Sequence, residues 1–168
     1  MLVPFNNRIS QTLHDEHCAT VALMERLEQL MARHRRAPPN AKEQSVAQLL
    51  RDVSTGVEAE VERHFTFEEA KLFSYLAEIG DNEISAHLTD EHNAMRPLGV
   101  RVALLAREGV AQGFDEDGWA EFSRLGQELC ERMLAHIQKE EMALLPLLEE
   151  MLDTEADARL YQDYAGNA

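Results

Sequence analysis

Apolar residues return at three- and four-residue intervals through almost the whole of this chain, glycine and proline gather between such runs, and alternating β-branched stretches do not occur. That interval is the repeat of one face of an α-helix, whereas a half-buried strand repeats every second residue. The pattern therefore predicts an all-α protein. At 168 residues, 45% hydrophobic and 28% charged, the chain is long enough for one domain with a substantial core, taken as residues 1–168.

Four long helices and a short one are expected. The first begins near Ser10, read as an N-cap, carries Leu13, His17, Val21, Met24, Leu27 and Leu30 on one stripe, and stops at Ala37-Pro38-Pro39-Asn40. The second covers roughly residues 43–79, with Val57, Val61, His64, Glu68, Leu72 and Tyr75 inward, and ends at Gly80-Asp81. Gly56 weakens it without breaking it. The third runs from about Asn82 to Ala111 with Leu88, His92, Met95, Val102 and Leu105 on its stripe, and Pro97 is expected to kink it or restrict its first part. After the acidic loop Gly113 to Gly118, the fourth runs from Trp119 to about Met151, with Leu125, Leu129, Met133, His136, Glu140, Ala143 and Leu147 inward and Pro146 bending its end. A more polar helix, Glu155 to Tyr164, is expected against the outside. Four amphipathic helices with short connections make an up-down-up-down four-helix bundle with a short C-terminal helix.

The net charge of −15 argues against electrostatic binding of nucleic acid or an anionic membrane, because a polyanionic surface repels both. Cys18 and Cys130 lie far apart and form no CxxC, so neither a thiolate zinc site nor a disulfide framework is indicated, and both read as free thiols. The N-terminal stretch MLVPFNNRIS has no charged leader followed by an apolar run, and nowhere do about 20 apolar residues run together. A cytoplasmic protein is the expectation.

The polar residues on the inward stripes are the informative ones. His17, His64, His92 and His136 each have apolar neighbours three or four positions away, one such histidine per helix, and the second and fourth helices add a glutamate one turn on, in HFTFE and HIQKE. Four residues on a helix turn through about 400°, so His64 and Glu68 point within about 40° of each other at ~6 Å along the axis, as do His136 and Glu140. A lone core histidine is usually bonded to a neighbouring carbonyl or carboxylate, and one HxxxE pair is usually a surface helix interaction. Six such residues on four inward stripes are another matter. A buried carboxylate and an unpartnered imidazole are each costly, and a metal ion removes both costs at once. Nitrogen and carboxylate ligands without thiolate suit a pair of first-row ions such as iron or manganese, with zinc also compatible, and each HxxxE can give one ion its nitrogen while its carboxylate bridges to the other. His14 stands as an alternative to His17, His87 as one to His92, and Glu141 as one to Glu140; Glu69 and Glu141 otherwise read as solvated residues or as acceptors for a ligand histidine. Phe65 and Tyr75 are candidates for the pocket wall.

At these residues the chain resembles the hemerythrin-like, HHE cation-binding family: HDEH at 14–17, HFTFEEAKLF at 64–73, DEHNAMR at 90–96 and HIQKEEMALLP at 136–146. The resemblance implies a non-haem di-iron centre inside the bundle, bridged by two carboxylates and an oxo or hydroxo oxygen. His17 and His64 would serve one iron, His92 and His136 the other, and Glu68 and Glu140 would bridge, leaving an open position for oxygen or nitric oxide. Oxygen-carrying hemerythrins have two histidines one turn apart on the third helix and an aspartate five residues after the last histidine. This chain has Leu88 one turn before His92, and Glu140 and Glu141 at the fourth and fifth positions after His136. Its pattern is closer to that of di-iron proteins similar to the iron-sulfur repair group, which implies redox chemistry with oxygen, peroxide or nitric oxide rather than simple storage. Repair proteins of that group carry an additional N-terminal domain with adjacent cysteines, and no such segment precedes the first helix here; a signalling or redox role would need a partner protein. An iron-sulfur repair or iron-donor protein under oxidative or nitrosative stress, and a metal-free or single-zinc helical interaction module, are the competing readings. Ferritin-like oxidases fit poorly, because their ExxH signature is missing before all four inward histidines.

Overall fold

The structure, a computed structural model, describes residues 5–166; the ends of the 1–168 span, including the first four residues of the stretch read for a leader, lie outside the described residues. Among those described, every regular element is helical. Helix α1 is Arg8–Arg33. Helix α2 runs over residues 44–78, its α-helical stretches Gln44–Ala59, Phe65–Phe67 and Phe73–Glu78 joined by π-helical turns at Glu60–His64 and Glu68–Leu72. Helix α3 is Glu83–Gln112. Helix α4 runs over residues 116–151, with a π turn at Glu140–Leu144 between Glu116–Lys139 and Leu145–Met151. Helix α5 is Thr154–Gly166. Neighbours in sequence are neighbours in space around a ring, α1 beside α2, α2 beside α3, α3 beside α4 and α4 back beside α1. With connections this short, the four long helices run alternately up and down.

The helix ends show where side chains replaced the expected caps. Helix α1 begins two residues before Ser10, which is buried inside it, and its free N–H groups are satisfied from another element: the Asp157 carboxylate of α5 accepts from Arg8 at 3.0 Å and Ile9 at 2.9 Å. Helix α4 starts at Glu116, ahead of Trp119, because Asp115 caps it by accepting from Gly118 N–H at 2.6 Å. Helix α3 continues without interruption through Pro97. Gly56 sits mid-helix for a packing reason, since a Cβ there would lie 2.6 Å from Leu23 Cδ2 of α1. At Gly99 a Cβ would lie 2.9 Å from Val61 Cγ1, so that glycine lets α3 close on α2.

The apolar core is in two parts. One cluster joins Met24, Leu27, Val53, Val57, Met95, Val102, Phe122, Leu129 and Met133 toward the end of the bundle where α4 begins. The other joins Leu13, Leu72, Leu76, Leu88, Leu144, Leu148 and Leu160 at the opposite end, which α5 closes. Between them lies a layer of buried polar side chains, His17, His64, Glu68, His92, His136 and Glu140, each at most 2% exposed.

Candidate metal centre

In a plain α-helix, residues spaced by four overshoot one another by about 40° per step, so a row of four would turn through about 120° from end to end. Two rows in this molecule stay on one face nonetheless: His64, Glu68, Leu72 and Leu76 in α2, and His136, Glu140, Leu144 and Leu148 in α4, all at most 2% exposed. The π turns account for it. Each begins at the glutamate, where the Phe73 N–H reaches back to the Glu68 carbonyl and the Leu145 N–H to the Glu140 carbonyl, five residues instead of four. A π turn takes one extra residue and is found most often at functional sites. The expected inward positions beyond the glutamates are corrected accordingly. Leu76 replaces Tyr75, which is half-buried outside the polar layer; Leu144 and Leu148 replace Ala143, which is exposed, and Leu147, which is half-buried. Pro146 falls in the first turn of the α-helical stretch after the π turn, where a missing N–H costs least.

The six polar residues meet as two overlapping groups. In one, His17, His64, Glu68 and Glu140 present one nitrogen or oxygen each within 4.8 Å of one another; in the other, Glu68, His92, His136 and Glu140 do the same. The glutamates belong to both because each divides its oxygens. Glu68 turns Oε1 to His64 Nε2 at 3.0 Å and Oε2 to His92 Nε2 at 3.2 Å. Glu140 turns Oε2 to His17 Nε2 at 2.7 Å and Oε1 to His136 Nε2 at 2.6 Å.

All four imidazoles present Nε2 to the layer, and all four have a carboxylate at Nδ1. His17 Nδ1 lies 2.6 Å from Glu141, His64 Nδ1 3.1 Å from Glu16, His92 Nδ1 2.9 Å from Glu69 and His136 Nδ1 2.7 Å from Glu91. A carboxylate there accepts the Nδ1–H and leaves the lone pair on Nε2, the arrangement that metal-bound histidines commonly have. Two such lone pairs, on His92 and His136, stand 3.0 Å apart. Despite the short distances, His17 Nε2, Glu68 Oε2 and both Glu140 oxygens make no aligned hydrogen bond. These atoms aim at shared points rather than at each other, and burying them so costs on the order of several kcal/mol per charge unless a cation lies among them. The donor set fits a pair of cations.

Protons are the competing cations. Burial would lower the imidazoles, but the Glu140 and Glu141 carboxylates raise His17 to about 9, and Glu140 and Glu68 raise His92 to about 9 against the same burial. His64 and His136 are raised too, by Glu60 and Glu68 for the one and by Glu140 for the other. Burial works to raise Glu140, yet the three imidazoles of His136, His17 and His92 hold it well below the usual carboxylate range.

The expected alternatives lie elsewhere. His14 is outside the layer and faces the outer side of Glu141, with Nδ1 at 2.8 Å. His87 is 60% exposed, 3.2 Å from Glu91 on the surface. Glu141 and Glu69 hold imidazoles from behind. Phe65 walls the layer, stacked on His92 at 3.9 Å between ring centroids. Sequence reasoning missed Glu16, Glu91, Glu60 and Tyr164. Glu16 and Glu91 are each one position before an inward histidine but serve a histidine on the neighbouring helix, so no spacing within one helix marks them. Glu60 is buried one turn before His64, with Thr20 Oγ1 donating to it at 3.2 Å; the spacing ExxxH was its one visible sign.

The family model described as Hemerythrin HHE cation binding domain matches residues 8–148, which span all six residues of the layer. Among curated proteins no match to the chain is found. Among the described residues, no helix is long and apolar enough to cross a membrane.

Proposed function

The chain belongs to the hemerythrin HHE cation-binding family, and from that premise we propose that it is a non-haem di-iron protein that binds or reacts with dioxygen or nitric oxide. His17 and His64 would hold one iron, His92 and His136 the other, with Glu68 and Glu140 bridging. The observation that carries this reading is the division of each buried glutamate between two histidine pairs, with all four Nε2 lone pairs turned inward. A site for one ion needs no such division. The surrounding charge supports it: Glu16, Glu60, Glu69, Glu91 and Glu141 add to the two bridging carboxylates, while Arg63, Arg96 and Lys139 are the cations beside them. That excess of negative charge suits two divalent ions.

Bound iron would supply redox chemistry and a place for a small diatomic ligand, since two nitrogens and two carboxylate oxygens per ion leave positions open. The protein's own contribution is to hold the four imidazoles in one tautomer through their Nδ1 carboxylates and to exclude bulk water by burying every donor atom. Leu88, one turn before His92, is fully buried in the apolar cluster beside the layer, so that half gains no further histidine. This supports reading the site as reactive rather than as saturated storage, with a ligand pattern closer to the repair type than to the oxygen carriers. Anaerobic loading with iron(II) should give two irons per chain, and oxygen should then produce the near-ultraviolet charge-transfer absorption of an oxidised iron pair, with nitric oxide giving a distinct spectrum from the reduced form. Absence of iron after loading would refute the proposal.

A further inference from the structure

Helix α5 lies beyond the residues matched by the family, yet it reaches the polar layer. Contacts at both of its ends place it. Asp157 accepts the N–H groups of Arg8 and Ile9, fixing α5 across the start of α1, and the Arg8 guanidinium lies 4.2 Å over the Tyr161 ring. At the other end Tyr164 is 3% exposed, with its ring 4.6 Å from that of Phe67 and the Arg63 guanidinium 4.4 Å over it, and Arg63 Nη2 also donates to the Tyr164 carbonyl at 3.2 Å. So seated, the Tyr164 hydroxyl donates to Glu16 Oε2, the same oxygen that lies 3.1 Å from His64 Nδ1.

Each of the other three carboxylates behind an imidazole is held from within residues 8–148. His14 holds Glu141, Arg96 holds Glu69 at 2.8 Å, and Lys139 holds Glu91. Arg63 stands farther from Glu16, at 3.9 Å. A half-buried carboxylate on a helix has several rotamers, and the hydroxyl that holds Glu16 in the one facing His64 comes from the terminal helix.

We propose that Tyr164 is a positioning residue of the metal centre, orienting His64 through Glu16, so that α5 is a working part of the half of the centre that contains His17 and His64. The inference rests on the di-iron reading, and its test separates the two. Tyr164→Phe removes the hydroxyl and keeps the ring that packs on Phe67. Anaerobic iron(II) titration against a competing chelator should show two irons bound by the unaltered chain. In Tyr164→Phe, one iron should bind more weakly, by no more than the roughly ten-fold loss expected on removing the carboxylate behind a ligand histidine, and the other should bind with unchanged affinity. Glu16→Ala should weaken the same iron, and adding Tyr164→Phe to it should cost nothing more, because both changes break one chain of contacts. Equal weakening of both irons, or additive losses in the double variant, would mean that Tyr164 only stabilises the fold. Two irons at unaltered affinity in Tyr164→Phe would overturn the positioning role while leaving the di-iron reading intact; no iron in the unaltered chain would overturn both.

Discussion

His92 lies against Phe65 with their rings 9° from parallel, has Phe73 on a second stack at 5.9 Å, and is braced from behind by a glutamate that Arg96 holds. Across the shared glutamates His64 has no parallel stack among the described residues; Tyr164 and Phe65 meet it edge-on, and two carboxylates, Glu16 and Glu60, crowd its Nδ1. One half of the centre is thus walled by aromatic rings, with each of its outer carboxylates paired to a cation, and the other carries one outer carboxylate more. Two ions bound in such different surroundings would not be equivalent. The carboxylate-rich side is the better place for the ion that carries the higher charge, because the added anions stabilise it.

The comparison breaks most completely at the residues the halves share. Glu68→Ala or Glu140→Ala should abolish both ions, taking iron from two per chain to near zero by metal analysis; retention of one full ion would mean that the glutamates do not bridge. Next, His17→Ala and His136→Ala should each remove one ion and leave one, in opposite halves. Loss of both ions from either variant would show that the halves cannot be occupied separately.

Without metal, the halves should share a response to pH. His17 and His92 are raised from 6.5 to about 9, so the stability they contribute is complete below about pH 6.5 and disappears as pH rises through about 9. The urea midpoint of the metal-free protein should therefore be higher near pH 6 than near pH 10, and a midpoint that is flat or rises over that interval contradicts the buried imidazolium pairs. The metal-loaded protein should show the reverse on acidification, since protons displace metal from the same nitrogens. A smaller effect sharpens the contrast: Glu69→Gln should weaken only the ion in the His92 half, by about ten-fold. The smallest is expected from His87→Ala, which should leave both affinities unchanged because that ring is mostly in water.

Much of this was legible in the sequence because it depends on one-dimensional spacing. The apolar interval predicts the helices, and a histidine on each stripe with HxxxE on two of them predicts which six side chains meet in the interior. The inward positions that the structure corrects lie beyond the glutamates. Ala143, Leu147 and Tyr75 follow from an unbroken α-helical period, and the π turns at Glu68 and Glu140 add a residue that no propensity announces. The outer carboxylates were partly hidden for another reason. Glu91 sits four residues from His87 and so looks like its partner, but its other oxygen serves His136 on the next helix. Glu16 and Tyr164 meet across 148 residues of sequence. Contacts of that kind belong to the assembled bundle and leave no local period to read.

The π turns also decide which changes in chain length this protein can bear. Deleting one residue from 69–72 or from 141–144 would let the helix revert to a plain α-helix, locally the more stable form. Everything beyond the deletion would keep its angle to the histidine before it, because the residue removed is the one the π turn absorbs. A deletion before the glutamate, in 65–67 of α2 or 137–139 of α4, has no extra residue to absorb it and would turn Glu68 or Glu140 by about 100° away from its histidine. The chain can lose a residue inside these turns and not one turn earlier.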